Sequence, residues 1–153
     1  MLEGQRERLA SLSRTALERN VKCKMQDVKL KEDRGKILMG NAIEEKSFEF
    51  AVKIVKIALE LKSNQHYELG SQILRSGTSI GANVAEAQSA QSKKDFVSKL
   101  NISLKEANET EYWLRLLEAT GIITLEQSKS LTSDVRELRY ILISILKSSK
   151  CAK

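Results

Sequence analysis

Few side chains in this chain of 153 residues have the types and spacing that catalysis needs. The single histidine, His66, stands beside Tyr67 at an expected helix start without an evident acid or base partner, which favours a capping or surface role. The two cysteines, Cys23 and Cys151, lie near opposite ends of the chain, without the C-x-x-C spacing or the histidines of a structural zinc site. We interpret both as incidental thiols and expect a protein that is not an enzyme.

A cluster of carboxylates, Glu106, Glu109 and Glu111, is similar to the acidic side of a di-iron helix bundle. Such bundles also require a histidine three residues after two of the glutamates, and this pattern is absent. We therefore expect no metal and no cofactor.

Two glycines, Gly77 and Gly81, occur in a segment of small residues from 76 to 85. A phosphate-binding glycine loop would need a preceding strand and a Gly-Lys-Ser/Thr ending, and neither is present. In a helix, each glycine costs roughly 1 kcal/mol relative to alanine, but small residues four apart let a neighbouring backbone approach closely. The segment therefore predicts close helix packing at both glycines.

One group of basic residues follows a helical spacing near the end of the chain. Projected at 100° per residue, its members fall within an arc of about 80°. They are Lys129, Arg136, Arg139, Lys147 and Lys150. This strip predicts a nucleic-acid contact with phosphates and little base specificity. An ordinary solvated face is the alternative, and Ile143 within the strip indicates a third possibility, a subunit contact.

A second group of polar residues follows helical spacing on two consecutive predicted helices. The members are Arg75, Ser79, Asn83 and Glu86 on one helix, and Lys99, Ser103, Glu106 and Thr110 on the next. Packed together, they would form a hydrogen-bonded network that fixes helix register or subunit pairing. A ligand pocket is the alternative. We add Phe48, Phe50 and Trp113 to this predicted packing and oligomer set.

The composition indicates which elements position these residues. The chain has no proline and seven glycines, and helix-forming residues dominate it, so an all-α fold is expected. No segment reaches the roughly 20 apolar residues that cross a bilayer, and no signal peptide follows Met1. We therefore expect a cytoplasmic protein without a membrane anchor.

Hydrophobic periodicity predicts four helices joined by short turns, an antiparallel up-down-up-down bundle. The predicted ranges are about 41–62, 66–87, 93–120 and 124–150. The last of these has a core stripe formed by Leu131, Val135, Leu138, Leu142, Ile145 and Leu146.

Three local signals mark the predicted helix ends. Ser92 followed by Asp95 is close to a capping box, and Thr124 followed by Gln127 opens the last helix. Gly121 stands where a helix C-terminal stop is expected.

The first helix has an apolar surface that fills more than half of its circumference. Its members are Phe48, Phe50, Ala51, Val52, Ile54, Val55, Ile57, Ala58, Leu59 and Leu61. Since a single intramolecular seam needs a narrower arc, the pattern predicts that this helix also contacts another subunit.

The first quarter of the chain differs from the rest. Residues 1–38 contain ten Lys/Arg and six Asp/Glu, so they carry +4 of the net charge of +6. Their apolar residues follow no sustained helical or strand period. We expect residues 1–40 to be a flexible basic extension that the bundle, residues 41–150, does not need for folding.

Four segments resemble a known family. They are KSFEFA at 46–51, ILRSGTSIGANVAEA at 73–87, SKKDF at 92–96 and KEANETEYWL at 105–114. They are closely similar to the bacterial four-helix bundle proteins encoded in intervening sequences of 23S rRNA genes, over about residues 42–148. The resemblance implies an antiparallel bundle that assembles as a ring-like homopentamer. A more distant similarity is to the accessory variability determinant protein of diversity-generating retroelements, which binds nucleic acid and a reverse transcriptase.

Two hypotheses of function follow. The first is an oligomeric bundle, a pentamer by resemblance, that binds RNA or DNA or a nucleic-acid enzyme such as a reverse transcriptase through basic surfaces. The second is a protein–protein scaffold without nucleic-acid affinity. Binding titrations at two salt concentrations discriminate between them, because phosphate contacts weaken steeply with salt.

Overall fold

Four helices and no strand occur in the residues that the structure, a computed structural model, describes, which are residues 42–151. Helix α1 covers residues 42–63, α2 covers Tyr67–Gln88, α3 covers Lys93–Ala119 and α4 covers Leu125–Cys151. These bounds agree with the sequence prediction to within about one residue at each described helix end. The predicted extension, residues 1–40, lies outside the described residues, so its flexibility and dispensability stay predictions.

The predicted signals at the ends of α3 and α4 are confirmed. The Ser92 hydroxyl accepts a hydrogen bond from the Asp95 amide at 3.1 Å. At the start of α4, the Thr124 amide donates to Gln127 Oε1 at 2.9 Å and the Gln127 amide donates to Thr124 Oγ1 at 3.2 Å, which is a reciprocal capping box. Gly121 adopts a φ of +70°, the left-handed conformation that ends α3 and turns the chain into α4.

Contacts between α1 and α4 show that these two helices are antiparallel neighbours. Lys46 Nζ lies 2.9 Å from Glu137 Oε1, and Lys53 Nζ lies 2.8 Å from Asp134 Oδ2. Further along, Gln127 Nε2 donates to Glu60 Oε2 at 3.3 Å. Residue numbers rise along α1 as they fall along α4, as an up-down-up-down bundle requires.

The same reasoning places α3 against both α2 and α4. The buried Ser103 hydroxyl donates to the Ile80 carbonyl of α2 at 2.9 Å, and Lys99 pairs with Glu86. On the other side, the Ser128 hydroxyl of α4 donates to Glu118 of α3. Helix α1 also packs against α2, where Gly77 lies against Ile54. Because α1 and α3 each contact α2 and α4, the four helices enclose one core.

The core contains apolar side chains from all four helices, spaced three and four residues apart. Those with 2% exposure or less include Phe50, Ile54, Leu61, Ile73, Ile80, Val84, Leu100, Ala107, Leu114, Leu117, Val135, Leu138 and Leu142. In the predicted α4 stripe, every residue except Ile145 is buried, and Ile145 packs against the core. No helix within residues 42–151 combines the length and hydrophobicity that crossing a bilayer requires.

Close packing at the two glycines of α2 is also confirmed, and α1 is the partner helix. A Cβ atom on Gly77 would lie 2.7 Å from Ile54 Cγ2, closer than side chains tolerate. A Cβ atom on Gly81 would lie 3.3 Å from the carbonyl oxygen of Ser47. The backbones of α1 and α2 approach each other closely because these positions lack side chains.

Candidate functional site

The apolar residues of α1 separate into a buried set and an exposed set. The exposed set is Phe48, Val52, Val55 and Leu59, and we call it the apolar stripe. Its members are spaced by four, three and four residues, so they lie within an arc of about 60° on the side of α1 away from the core. Phe48 is 70% exposed and Leu59 is 59% exposed. The bundle leaves one continuous apolar face of α1 uncovered.

A shallow groove of about 600 Å³ runs beside this stripe, between α1 and α2. On the α1 side, its lining comprises Phe48 and Ala51 together with the polar residues Glu44, Glu45 and Ser47. On the α2 side, small residues line it, among them Ala82 and Ala85. The small residues of α2 therefore have two structural effects. Gly77 admits α1 into close contact, and the alanines keep the groove open.

The basic strip on α4 is only partly available to solvent partners. Arg136 Nε lies 2.8 Å from Glu111 Oε1 of α3, and Arg139 pairs with Glu111 Oε2. Lys129 and Lys147 are exposed. The side chain of Lys150 lies outside the described part of the chain. Two of the five predicted residues therefore form part of the contact between α3 and α4.

Glu111 is held in its charged form by these arginines. Its side chain is 15% exposed, and burial alone would raise the pKa of this carboxyl group. The hydrogen bond from Arg136 and the charges of Arg139 and Arg136 outweigh that effect and lower the pKa below its ordinary value of 4.5. The pair of guanidinium groups therefore clamps an ionised carboxylate between two helices.

A pH-dependent contribution to stability follows from this clamp. Because the pKa of Glu111 is lower in the folded than in the unfolded chain, its stabilisation is present above pH of about 4.5 and is lost as the pH falls through the folded pKa. We expect Glu111→Gln to lower the free energy of unfolding at pH 7 and to differ less from the wild type as the pH is lowered toward 3. Urea titrations at several pH values measure this difference. A constant difference across that range would contradict the assignment.

A second groove, of about 430 Å³, lies between α3 and α4, and we call it the cationic groove. Its cations are Arg115, Lys129 and Arg136, and its lining also includes Glu118, Ser128, Thr132 and Ser133. Within residues 42–151, the side chains of Arg115 and Lys129 form no ion pair and no hydrogen bond with the protein. Glu118 is engaged by the Ser128 hydroxyl. Two unpaired cations therefore face one open groove with hydroxyl groups beside them.

Comparison with known proteins now places this geometry in a family. Residues 40–144 match the family described as 23S rRNA-intervening sequence protein. The chain belongs to this family. Among solved structures, it is similar to the crystal structure, at 1.70 Å resolution, of a protein with unknown function from the S23 ribosomal protein family of Bacteroides thetaiotaomicron VPI-5482. The two are 55% identical with a TM-score of 0.70, and the match covers 71% of this chain and 98% of the other. The chain matches no curated protein.

In this family member, the predicted polar network consists of separate pairs. Lys99 and Glu86 form the expected link between α3 and α2. Asn83 donates to the Ser79 carbonyl at 2.8 Å, a bond within α2. Such local bonds satisfy polar groups in one helix and set no register between helices.

Among the remaining members, Ser103 forms an interhelical bond, to the Ile80 carbonyl of α2, and the others form no shared network with it. Thr110 donates to the carbonyl of Glu106 at 2.8 Å, which is another bond within one helix. Arg75 lies 3.6 Å from Glu109, and Trp113 Nε1 donates to the same Glu109 carboxylate at 3.3 Å. Glu109, which is not a member of the predicted set, is therefore the acidic partner of Arg75 across α2 and α3.

The structure also locates the other predicted residues. Phe50 is 1% exposed and belongs to the bundle core, so Phe48 alone of the two phenylalanines is available to a second subunit. His66 occupies the N-cap position of α2, and its side chain makes no capping hydrogen bond. Among the described residues, no three His, Cys, Asp or Glu side chains lie close enough to hold a metal ion.

Arg115 is the residue that sequence reasoning missed. The projection considered the basic residues of the last helix alone, and Arg115 belongs to α3. A signal was present, since Glu111, Arg115 and Glu118 are spaced by four and three residues and share one side of α3. That side faces α4, because Glu111 contacts Arg136 and Glu118 contacts Ser128.

Proposed function

We propose that this protein is a self-associating, non-enzymatic bundle of the cytoplasm that binds nucleic acid. Subunits associate through the apolar stripe of α1, and phosphate groups bind at the cationic groove. The observation that carries the proposal is the position of Arg115 and Lys129, two cations on different helices that face one groove and have no partner in the described chain. An anion from outside satisfies both.

The location of charge supports this choice more than its amount does. Residues 42–151 contain 15 Lys/Arg and 14 Asp/Glu, so the bundle is nearly neutral. On α3 and α4, however, Glu111 holds Arg136 in place beside the unpaired Arg115 and Lys129. Lys147 lies about five turns, or roughly 27 Å, further along the same side of α4 as Lys129. This side of the bundle therefore offers a row of cations to a phosphate backbone.

Assembly would repeat this row. The resemblance to the intervening-sequence family implies a ring of five subunits, and we include the homopentamer in the proposal. The apolar stripe lies on α1 and the cationic groove lies between α3 and α4, so the two sites share no residue. In a ring, the stripe packs on a different surface of the neighbouring subunit, and in this proposal that surface lies outside the groove. A ring then presents five such grooves to RNA, to DNA or to a complex of either with an enzyme such as a reverse transcriptase.

The test is the salt dependence of binding in a charge-neutralised variant. We expect Arg115→Gln with Lys129→Gln to weaken binding to a fluorescent oligonucleotide and to reduce the slope of log affinity against log salt by about 1 per lost phosphate contact. Lys56→Gln with Lys62→Gln is the matched control, because it removes the same charge from α1. Fluorescence anisotropy at several salt concentrations gives both quantities.

Arg136 and Arg139 are unsuitable for this test, because both pair with Glu111. Reversing Arg136 and Arg139 to glutamate would place two new carboxylates beside Glu111 and destabilise the contact between α3 and α4. Loss of binding in that variant would not distinguish a lost phosphate contact from a destabilised bundle. Arg115 and Lys129 have no ion-pair partner among residues 42–151, so their replacement avoids this ambiguity.

The second candidate, a protein–protein scaffold without nucleic-acid affinity, is favoured by the apolar stripe and by the pairing of Arg136 and Arg139 within the bundle. Salt-independent binding, or equal loss in the groove variant and in the control, would contradict nucleic-acid recognition at the groove. The scaffold function would then be preferred.

A further inference from the structure

Two tyrosines on α3 and α4 are strongly exposed. Tyr112 is 57% exposed and Tyr140 is 73% exposed. The Tyr112 ring meets Trp113 edge to face, with centroids 5.2 Å apart and an interplanar angle of 72°. Neither tyrosine therefore belongs to the bundle core.

Both tyrosines share the outer surface with the unpaired cations. Glu111 of α3 contacts Arg136 and Arg139 of α4. Tyr112 directly follows Glu111 and Tyr140 directly follows Arg139, so the two tyrosines stand at about the same level of the bundle. Projected around α3, Tyr112 lies about 60° from Arg115, and projected around α4, Tyr140 lies about 20° from Lys129. The two tyrosines thus lie on one outward surface made by α3 and α4, and Arg115 and Lys129 lie further along that surface, toward the start of α4.

We infer that this face takes single-stranded nucleic acid, with bases stacked on Tyr112 and Tyr140 and phosphates at Arg115 and Lys129. The inference rests on the proposed function and specifies its ligand. Stacking on an exposed ring requires an unpaired base, because the faces of paired bases are already covered in a duplex. Cations alone bind single strands and duplexes through the same phosphates.

The experiment compares two probes on the full-length protein, a single strand of about 20 thymidines and a duplex of about 20 base pairs, both followed by fluorescence anisotropy. We expect Tyr112→Ala with Tyr140→Ala to lose at least about 10-fold in affinity for the single strand and less than about 2-fold for the duplex. Tyr112→Phe with Tyr140→Phe keeps the rings and is expected to bind the single strand as the wild type does. The salt slope stays unchanged in both variants, because no phosphate contact is removed.

Three other outcomes would each contradict the inference, and one of them would also contradict the proposed function. If the alanine variant binds the single strand as tightly as the wild type does, stacking is wrong while salt-sensitive binding still supports the proposed function. If the wild type binds neither probe, the proposed function fails and the inference fails with it. If light scattering shows that the alanine variant has a smaller mass than the wild type, the tyrosines belong to a subunit contact and the inference is overturned.

Discussion

Replacing Phe48 and Leu59 together with glutamate is expected to dissociate the protein into single subunits that remain folded. Both side chains belong to the apolar stripe and make little contact with the bundle core, since they are 70% and 59% exposed. Burial of such a side chain at an interface contributes about 1.5–3 kcal/mol, so losing two weakens each contact by roughly 3–6 kcal/mol, or more than about 100-fold in affinity. The added carboxylates oppose association further, because burial of an unpaired charge is costly.

Light scattering and sedimentation at micromolar concentration measure this effect, and circular dichroism reports whether the helices persist. Tyr67→Glu with Leu125→Glu is the matched control, because these residues are exposed apolar side chains outside the stripe. We expect the control to keep the mass of the wild type. A single-chain mass for the wild type itself would remove the prediction of self-association, and an intact assembly in the stripe variant would place the interface elsewhere.

Replacing Gly77 with leucine is expected to destabilise the bundle by about 1–3 kcal/mol. A Cβ atom at this position would lie 2.7 Å from Ile54 Cγ2 and 3.1 Å from Ile54 Cβ. Ile54 has no exposed surface and cannot swing into solvent, so α1 and α2 must separate to admit the new side chain. Alanine at this position meets the same Cβ contact, and we expect a smaller loss because it adds only that one atom. Its helix propensity, about 1 kcal/mol better than that of glycine, partly offsets the strain.

Urea unfolding measures the change. Ser71→Leu is the control, because Ser71 is exposed on the same helix and leucine there meets no packed neighbour. Gly81→Ala provides a graded comparison, since its Cβ would approach the Ser47 carbonyl oxygen only to 3.3 Å. An unchanged unfolding midpoint in Gly77→Leu would show that α1 and α2 are farther apart than this geometry requires.

Much of this fold could be predicted because the signals that define it are local. A capping box needs two residues three apart, as at Thr124 and Gln127, and a helix stop needs one left-handed residue, as at Gly121. Core stripes repeat every three or four residues whatever the neighbouring helix is. The ranges of the helices and the core of α4 were therefore determined by the sequence alone.

The partner of each helix face was decided only by the tertiary structure. Periodicity identified the wide apolar surface of α1, but the division into a buried face with Phe50 and an exposed face with Phe48 depends on where α2 and α4 lie. In the same way, a projection of α4 placed Arg136 and Arg139 on a basic strip, and only the register of α3 brings Glu111 between them. Charges on separate helices become ion-pair partners through packing. Their separation along the chain, 25 residues from Glu111 to Arg136, does not predict this pairing.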